Sequence, residues 1–183
     1  RKPIWVDAIA PGEDEREWVA KAFSIILPQP EHLRDIEASA RFYEEDEELH
    51  VRSDFLLGKE SDSRSVIVAF VLSDNVLFSV HDEDLPVFQH FRLRSHGQPD
   101  LVADSLDVLV DLYGSDVEFS ADALEEAYAD LGSISGTVLN NTLSDKQAGA
   151  VLASIAHAEH LNGRIRRNLM DTRRAVSFLM RSK

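Results

Sequence analysis

Two long helical patterns with a break between them fill the C-terminal half of the sequence, and this feature limits the fold more than any other. Apolar residues recur near helical spacing from residue 100 to about 135, and again over residues 144–183. A helix of the first length could extend roughly 50 Å. Residues 136–142 between the patterns are rich in Asn and small side chains. The sequence therefore predicts two antiparallel helices packed as a hairpin.

The N-terminal half begins with a strand pattern followed by a helical one. Residues 3–8 predict a short strand, and the helical pattern after them opens with an acidic turn that suits the positive end of a helix dipole. Trp18 lies in the apolar stripe of this helix and is expected in the core. Pro28 should end the helix, and residues 31–38 support a shorter helical turn.

Four more strands are predicted next, and a helical pattern covers them. Residues 40–57 predict two strands around an acidic turn, while residues 65–72 and 76–81 predict a hairpin. We therefore expect an α+β fold in which helices sandwich a mixed or antiparallel sheet (αβα). Residues 1–99 would form this core, and residues 100–183 the long two-helix stalk that completes the domain.

The charge of the chain favours cations as partners. Its 33 acidic and 19 basic residues give a net charge of −14, which repels nucleic acid and anionic lipid and attracts divalent ions. The chain has no cysteine, so carboxylate, carbonyl, imidazole or water would have to hold any metal. Residues 164–183 carry seven basic residues and one acidic residue, a net of +6, which leaves −20 on the first 163. Such asymmetry often marks an interface or a segment near a membrane surface.

Enzymatic and membrane-spanning motifs find little support in the sequence. There is no phosphate-binding glycine loop and no nucleophile elbow, so the chain is not expected to be an enzyme; metal-assisted hydrolysis by scattered Asp and His residues is the alternative from that class. His157 and His160 lack the spacing of zinc hydrolases and are expected to be surface residues. The longest apolar run, residues 66–72, is far shorter than the ~20 residues of a membrane helix.

Five short motifs, in order along the chain, are similar to one known family. They are Trp-Val-Asp at residues 5–7, Asp-Ile-Glu-Ala-Ser-Ala-Arg-Phe at 35–42, Leu-Pro-Val-Phe at 85–88, Asp-Val-Leu-Val-Asp-Leu-Tyr at 107–113 and Leu-Met-Asp-Thr-Arg-Arg-Ala at 169–175. Together they resemble the CorA magnesium and cobalt transporters, particularly the proteobacterial branch. The resemblance covers essentially the whole chain. ZntB-type zinc transporters share that architecture and are the alternative, since the Gly-Met-Asn signature common to both groups would lie beyond residue 183.

The resemblance implies a regulatory domain and not the ion pathway itself. Members of this family are homopentamers whose cytoplasmic parts bind Mg²⁺ between identical subunits, and loss of the ions opens the pore. The resemblance also implies Co²⁺ as a substitute for Mg²⁺. The chain would then lie at the cytoplasmic face of the bacterial inner membrane and touch the membrane only through helices beyond residue 183. The family's principal ligand matches Asp35, and a second group matches Asp107 and Asp111. Arg34 stands where some members have a Glu ligand.

Each of these carboxylates also has a simpler interpretation. Asp107 and Asp111 are four residues apart and share a helix face, where like charges repel unless a cation lies between them. They could equally form a solvated face. Asp35 could cap a helix instead of binding metal.

The basic residues near the end of the chain are predicted to face acidic surfaces of the same or a neighbouring subunit. The basic residues are Arg164, Arg166, Arg167, Arg173 and Arg174, and the acidic candidates are Glu118, Asp122, Glu125 and Asp130.

Overall fold

The computed structural model describes residues 3–29, 41–59, 63–98, 102–140 and 144–182. These residues form five strands and four helices, which is the α+β composition expected from the sequence. In chain order the elements are β1 (Trp5–Ile9), α1 (Glu13–Phe23), β2 (Phe42–Glu45), β3 (Glu48–Leu57), β4 (Arg64–Ser73), β5 (Val76–His81), α2 (Pro86–Gly97), α3 (Ser105–Asn140) and α4 (Asp145–Leu179).

The strands form one mixed sheet in the order β1-β5-β4-β3-β2. The β1–β5 pair is parallel and the other pairs are antiparallel. The predicted hairpins are confirmed, and both have two-residue turns. Asp74 and Asn75 turn between β4 and β5 with φ of 47° and 64°, and Asp46 and Glu47 turn between β2 and β3. Asp and Asn tolerate positive φ better than most residues, which suits them to such turns.

Helices cover both faces of the sheet, as predicted. The apolar run of β4 is buried on both sides because alternate residues of a strand point to opposite faces. Val68 and Phe70 join a core with α2, α3 and α4, whereas Ala69 and Val71 join a second core with Val19 of α1. The larger core contains Phe55, Leu77, Phe88, Leu109, Leu112, Tyr113, Ala175 and Leu179.

The predicted helical hairpin is present, with shifted boundaries. α3 begins at Ser105, where the carboxylate of Asp104 accepts hydrogen bonds from the backbone N–H groups of Leu106 (2.9 Å) and Asp107 (3.0 Å). It continues through Gly136 to Asn140, so the break predicted to begin at residue 136 starts later. A glycine costs only about 1 kcal/mol inside a helix, which a helix of this length tolerates.

The helical hairpin shares its core with the sheet. Ala175 and Leu179 of α4 belong to the larger core, and Leu56 of β3 packs with Leu161 and Ile165 of α4. The boundary between residues 1–99 and 100–183 stays a prediction. No helix among the described residues is both long and apolar enough to cross a bilayer.

Trp18 was expected in the core, and this prediction is wrong. Its exposed fraction is 60%, because α1 turns Val19, and not Trp18, toward the sheet. The Trp18 ring packs edge-on against Phe23 at 5.9 Å between centroids. α1 ends at Phe23, because Ser24 adopts a left-handed backbone conformation with φ of 61°. The helix therefore ends several residues before Pro28, which was predicted to end it. The shorter helix expected over residues 31–38 lies outside the described residues.

Candidate metal-binding carboxylates

Of the three predicted metal ligands, the structure describes two. Asp35 lies in the segment 30–40, outside the described residues, so its metal role stays a prediction. Asp107 and Asp111 lie on the first turns of α3. No three His, Asp or Glu side chains in the described parts of the chain are grouped closely enough to hold a metal ion together.

Asp107 is exposed and stabilises the beginning of α3. One of its carboxylate oxygens accepts a hydrogen bond from the backbone N–H of Ala103 at 3.0 Å. The free N–H groups at a helix start carry partial positive charge, which makes this a favourable place for a carboxylate. Such a bond leaves further lone pairs on Asp107 open to a hydrated cation.

Asp111 forms an ion pair with Arg94 of α2. The Arg94 guanidinium also lies 5.9 Å from the centroid of the Phe91 ring. Asp111 lies one turn along α3 from Asp107, so its pairing with Arg94 partly offsets the repulsion between the two carboxylates. A metal ion at Asp111 would therefore have to compete with Arg94. Arg94 could not be predicted as the partner of Asp111 from the sequence, because helical spacing shows only neighbours on the same helix.

Two of the resemblance motifs meet in an ion-pair cluster that the sequence analysis did not foresee. Arg41, directly before β2, donates to Asp171 of α4 at 2.9 Å and to Asp54 of β3 at 3.4 Å. Asp171 also accepts from the backbone N–H of Asp54 at 3.3 Å. Burial raises the pKa of Asp171, while Arg41 opposes that rise. The cluster fixes α4 to the edge of the sheet, directly after the segment that contains Asp35.

The Trp-Val-Asp motif of β1 has a structural role. Asp7 accepts hydrogen bonds from the Ser79 hydroxyl at 2.6 Å and from Nε2 of His81 at 2.9 Å, and it pairs with Arg92 of α2. Nε1 of Trp5 donates to the Ser79 hydroxyl at 2.9 Å. These bonds join β1 to β5 and to α2. Three contacts within the chain, two on Oδ1 and one on Oδ2, thus occupy most of the Asp7 carboxylate, so it is a poor candidate for a metal ligand.

Asp116 is a buried carboxyl group in the middle of α3. Its side chain accepts a hydrogen bond from the backbone N–H of Leu56 at 3.0 Å, and its second oxygen has no hydrogen-bond partner. Burial raises its pKa to about 7, against the Leu56 hydrogen bond, which lowers it. A sequence signal for it existed, because Asp116 follows Leu112 by four residues on the apolar side of the helix, where a charged group is unexpected.

The chain is similar to known proteins over its whole length. A family model described as "CorA-like Mg2+ transporter protein" matches residues 1–183. The magnesium transport protein CorA of Sodalis glossinidius (strain morsitans) is 36% identical over 179 residues, which are 97% of this chain and 56% of that protein. The protein of the same name from Escherichia coli (strain K12) is 35% identical over the same shares. This chain thus spans about half the length of the curated relatives it matches, and those relatives are named as transport proteins, not enzymes.

Solved structures give the same result for the fold. The soluble domain of CorA from Methanocaldococcus jannaschii superposes with a TM-score of 0.76 at 16% identity, covering 96% of this chain and 69% of that chain. The cytoplasmic domain of ZntB from Vibrio parahaemolyticus RIMD 2210633 gives a TM-score of 0.67 at 14% identity, covering 100% of this chain and 71% of that chain. At such identities the likeness concerns the fold alone. The family match over the whole chain, together with relatives more than a third identical, is decisive: this chain belongs to the CorA-like Mg2+ transporter family.

Proposed function

We propose that this chain is the cytoplasmic, cation-sensing domain of a CorA-type magnesium transporter. The observation that carries the proposal is the identity of about 36% to proteins named magnesium transport protein CorA, which extends over 97% of the chain. The strongly acidic composition agrees with it, since a net charge of −14 makes divalent cations the natural counter-ions. The domain would lie at the cytoplasmic face of the bacterial inner membrane, with the membrane helices in another part of the full-length protein.

The proposed mechanism is occupancy-dependent assembly. Five identical, acidic subunits repel one another, and Mg²⁺ between them screens that repulsion and favours the closed arrangement. Asp35 is the favoured ligand, with weaker help from Asp107 and Asp111. Loss of Mg²⁺ removes the interaction that stabilises the closed arrangement more than the open one, so the subunits shift to the open arrangement. Co²⁺ can replace Mg²⁺ at oxygen ligands of this kind.

The contacts of the described carboxylates support unequal roles. Asp107 is exposed and keeps lone pairs open to a hydrated cation, which Mg²⁺ tolerates because it retains several waters. Asp111 is already neutralised by Arg94. We therefore infer that Asp107 contributes more than Asp111 to the second site, and that Arg94 limits metal binding there.

Asp35→Asn is expected to weaken inhibition of transport by Mg²⁺ in the full-length protein, because it removes one negative charge from the favoured site. The measurement is Mg²⁺ uptake into liposomes as Mg²⁺ is raised on the side of this domain. The half-inhibiting concentration should rise by about tenfold, a loss of about 1.4 kcal/mol, and Asp107→Asn should raise it less.

Asp14→Asn is the matched control, because Asp14 is an exposed acidic residue of α1 and its replacement removes the same single negative charge. Equal curves for Asp35→Asn and the control would contradict the Asp35 assignment. Preferential uptake of Zn²⁺ that is indifferent to Mg²⁺ would instead overturn the magnesium assignment in favour of the ZntB-type alternative.

A further inference from the structure

Three polar atoms on α3 and α4 are buried without a hydrogen-bond partner among the described residues. They are Oδ2 of Asp116, Oγ of Ser120 and Nδ2 of Asn168, and each of these residues is only 1% exposed. Most buried polar groups in folded proteins have a partner, because an unsatisfied one loses its hydration without compensation. Three such atoms on two neighbouring helices therefore point to one common ligand.

The three side chains lie in one layer of the helical hairpin. Ala123 of α3 and Leu161 of α4 belong to the same buried cluster. Asp116 precedes Ala123 by seven residues and Asn168 follows Leu161 by seven residues, which is about two turns in each helix. Because the helices of a hairpin are antiparallel, these equal steps place Asp116 opposite Asn168. Ser120 follows Asp116 by about one turn on the same side of α3.

Hydrogen bonds to the sheet hold the two opposite side chains in place. Oδ1 of Asp116 accepts from the backbone N–H of Leu56 at 3.0 Å, and Oδ1 of Asn168 accepts from the hydroxyl of Ser65 at 2.9 Å. Leu56 and Ser65 are paired residues of β3 and β4. Both side chains are thus fixed at one point of the sheet, and each keeps its second polar atom for another partner.

The chemistry of these three atoms matches one water molecule. Oδ2 of an ionised Asp116 accepts, Nδ2 of Asn168 donates, and the Ser120 hydroxyl can do either. Asp116 and Asn168 form no hydrogen bond with each other among the described contacts, but a molecule that both donates and accepts can bridge them. A buried water typically makes about three hydrogen bonds to groups that would otherwise be unsatisfied. A metal cation fits less well, because the N–H group of Asn168 would repel it.

We propose that Asp116, Ser120 and Asn168 together bind one water molecule between α3 and α4. The water donates to Asp116, accepts from Asn168 and makes its third hydrogen bond with Ser120, so it joins both helices beside β3. When Asp116 is protonated, the water accepts from it and donates to Ser120. One water replaces only part of the hydration of a carboxylate, so ionisation of Asp116 stays costly. The inference does not depend on the proposed transport function.

A crystal structure of this chain that resolves ordered waters tests the proposal directly. We expect one water at about 2.7–3.2 Å from Oδ2 of Asp116, Oγ of Ser120 and Nδ2 of Asn168. Contacts of about 2.0–2.6 Å to the oxygen atoms would identify a metal cation, which would overturn the proposal. Direct hydrogen bonds among the three side chains, with no water between them, would overturn it as well.

A double-mutant cycle tests the same water in solution by denaturant unfolding. Ser120→Ala and Asn168→Ala should each lower the folding equilibrium constant by about fivefold. The double variant should lower it by about tenfold, and not by the product of about 25, because both substitutions release the same water.

Ser53→Ala is the matched control for this cycle, since Ser53 is also a buried serine but its hydroxyl bonds to Tyr113 at 2.8 Å. Its effect should multiply fully with that of Ser120→Ala, because the two serines share no partner. If the effects of Ser120→Ala and Asn168→Ala also multiply fully, no shared water joins these residues and the proposal is wrong.

Discussion

Asp116→Asn is expected to stabilise the folded chain at pH 8 by up to about 4 kcal/mol, since burial raises the pKa of Asp116 to about 7 and one pKa unit corresponds to about 1.4 kcal/mol. Asp116 is only 1% exposed and the second oxygen of its carboxyl group has no hydrogen-bond partner, so ionisation inside the fold is costly. Asparagine is neutral and keeps an oxygen that can accept from the Leu56 N–H. Alanine cannot accept that bond and should be less stable than asparagine by about 1–3 kcal/mol.

The sign of the pH dependence follows from proton counting. In the unfolded chain Asp116 loses its proton near its ordinary pKa of 3.8, whereas in the fold it keeps the proton until about pH 7. Between these values the unfolded state binds fewer protons, so the free energy of unfolding falls as pH rises. Below about pH 4 Asp116 is protonated in both states and does not lower the free energy of unfolding. Above about pH 7 the decrease in the free energy of unfolding that Asp116 causes is complete. The Asn variant should lack this slope.

Denaturant unfolding of wild type and variant at a series of pH values measures the effect. The informative quantity is the difference between the two proteins, because other carboxyl groups titrate in both. The difference should be small near pH 4 and largest near pH 8. Glu125→Gln, an exposed acid on the same helix, is the control and should show no such trend. A constant difference from pH 4 to 8 would show that Asp116 is ionised in the fold throughout.

Arg41→Met is expected to cost about 3 kcal/mol of stability, the lower end of the range for removing one partner of a buried ion pair. The Arg41 side chain is 24% exposed and lies between Asp54 and Asp171, which is 7% exposed. Methionine preserves much of the apolar stem but leaves two neighbouring carboxylates without a counter-charge. Lysine should recover only part of the loss because a single ammonium cannot match the planar guanidinium.

A double-mutant cycle separates this ion pair from simple packing. Adding Asp171→Asn to Arg41→Met should restore a large part of the lost stability, because the uncompensated charge is then gone. The loss in Arg41→Met should also shrink as pH falls toward 4, since burial already raises the pKa of Asp171 and a protonated carboxyl needs no counter-charge. A double variant whose loss equals the sum of the single losses would rule out coupling between the two residues.

The sequence was most informative where neighbours along the chain decide the structure. The apolar periodicity predicted the two long helices, and the two strand patterns at residues 65–72 and 76–81 predicted a hairpin, because helical faces and hairpins depend on residues that are close in sequence. Five spaced motifs were enough to identify the family. The ends of α3 were predicted less accurately than its existence. The cap at Asp104 and the glycine at residue 136 each change the stability of the helix by only a few kcal/mol or less, so the sequence pattern does not fix where the helix starts and stops.

Contacts between distant residues needed the tertiary structure. Arg41 and Asp171 are 130 residues apart, and nothing local marks them as partners. Trp18 carries an apolar side chain at helical spacing, yet the sheet covers Val19 instead. Asp111 matched a predicted metal ligand, and only the approach of α2 gave it Arg94 as a counter-ion.

The sequence by itself thus determined the family, the order of the elements and the acidic character that favours cations. The tertiary structure decided which charges are neutralised, which are buried and which remain outward. The physical reason is that periodicity and turn chemistry act over a few residues, whereas the dielectric environment and the counter-ions of a carboxylate depend on every element packed around it. Asp107, Asp111 and Asp116 lie on one helix, and yet one is exposed, one is ion-paired and one is buried.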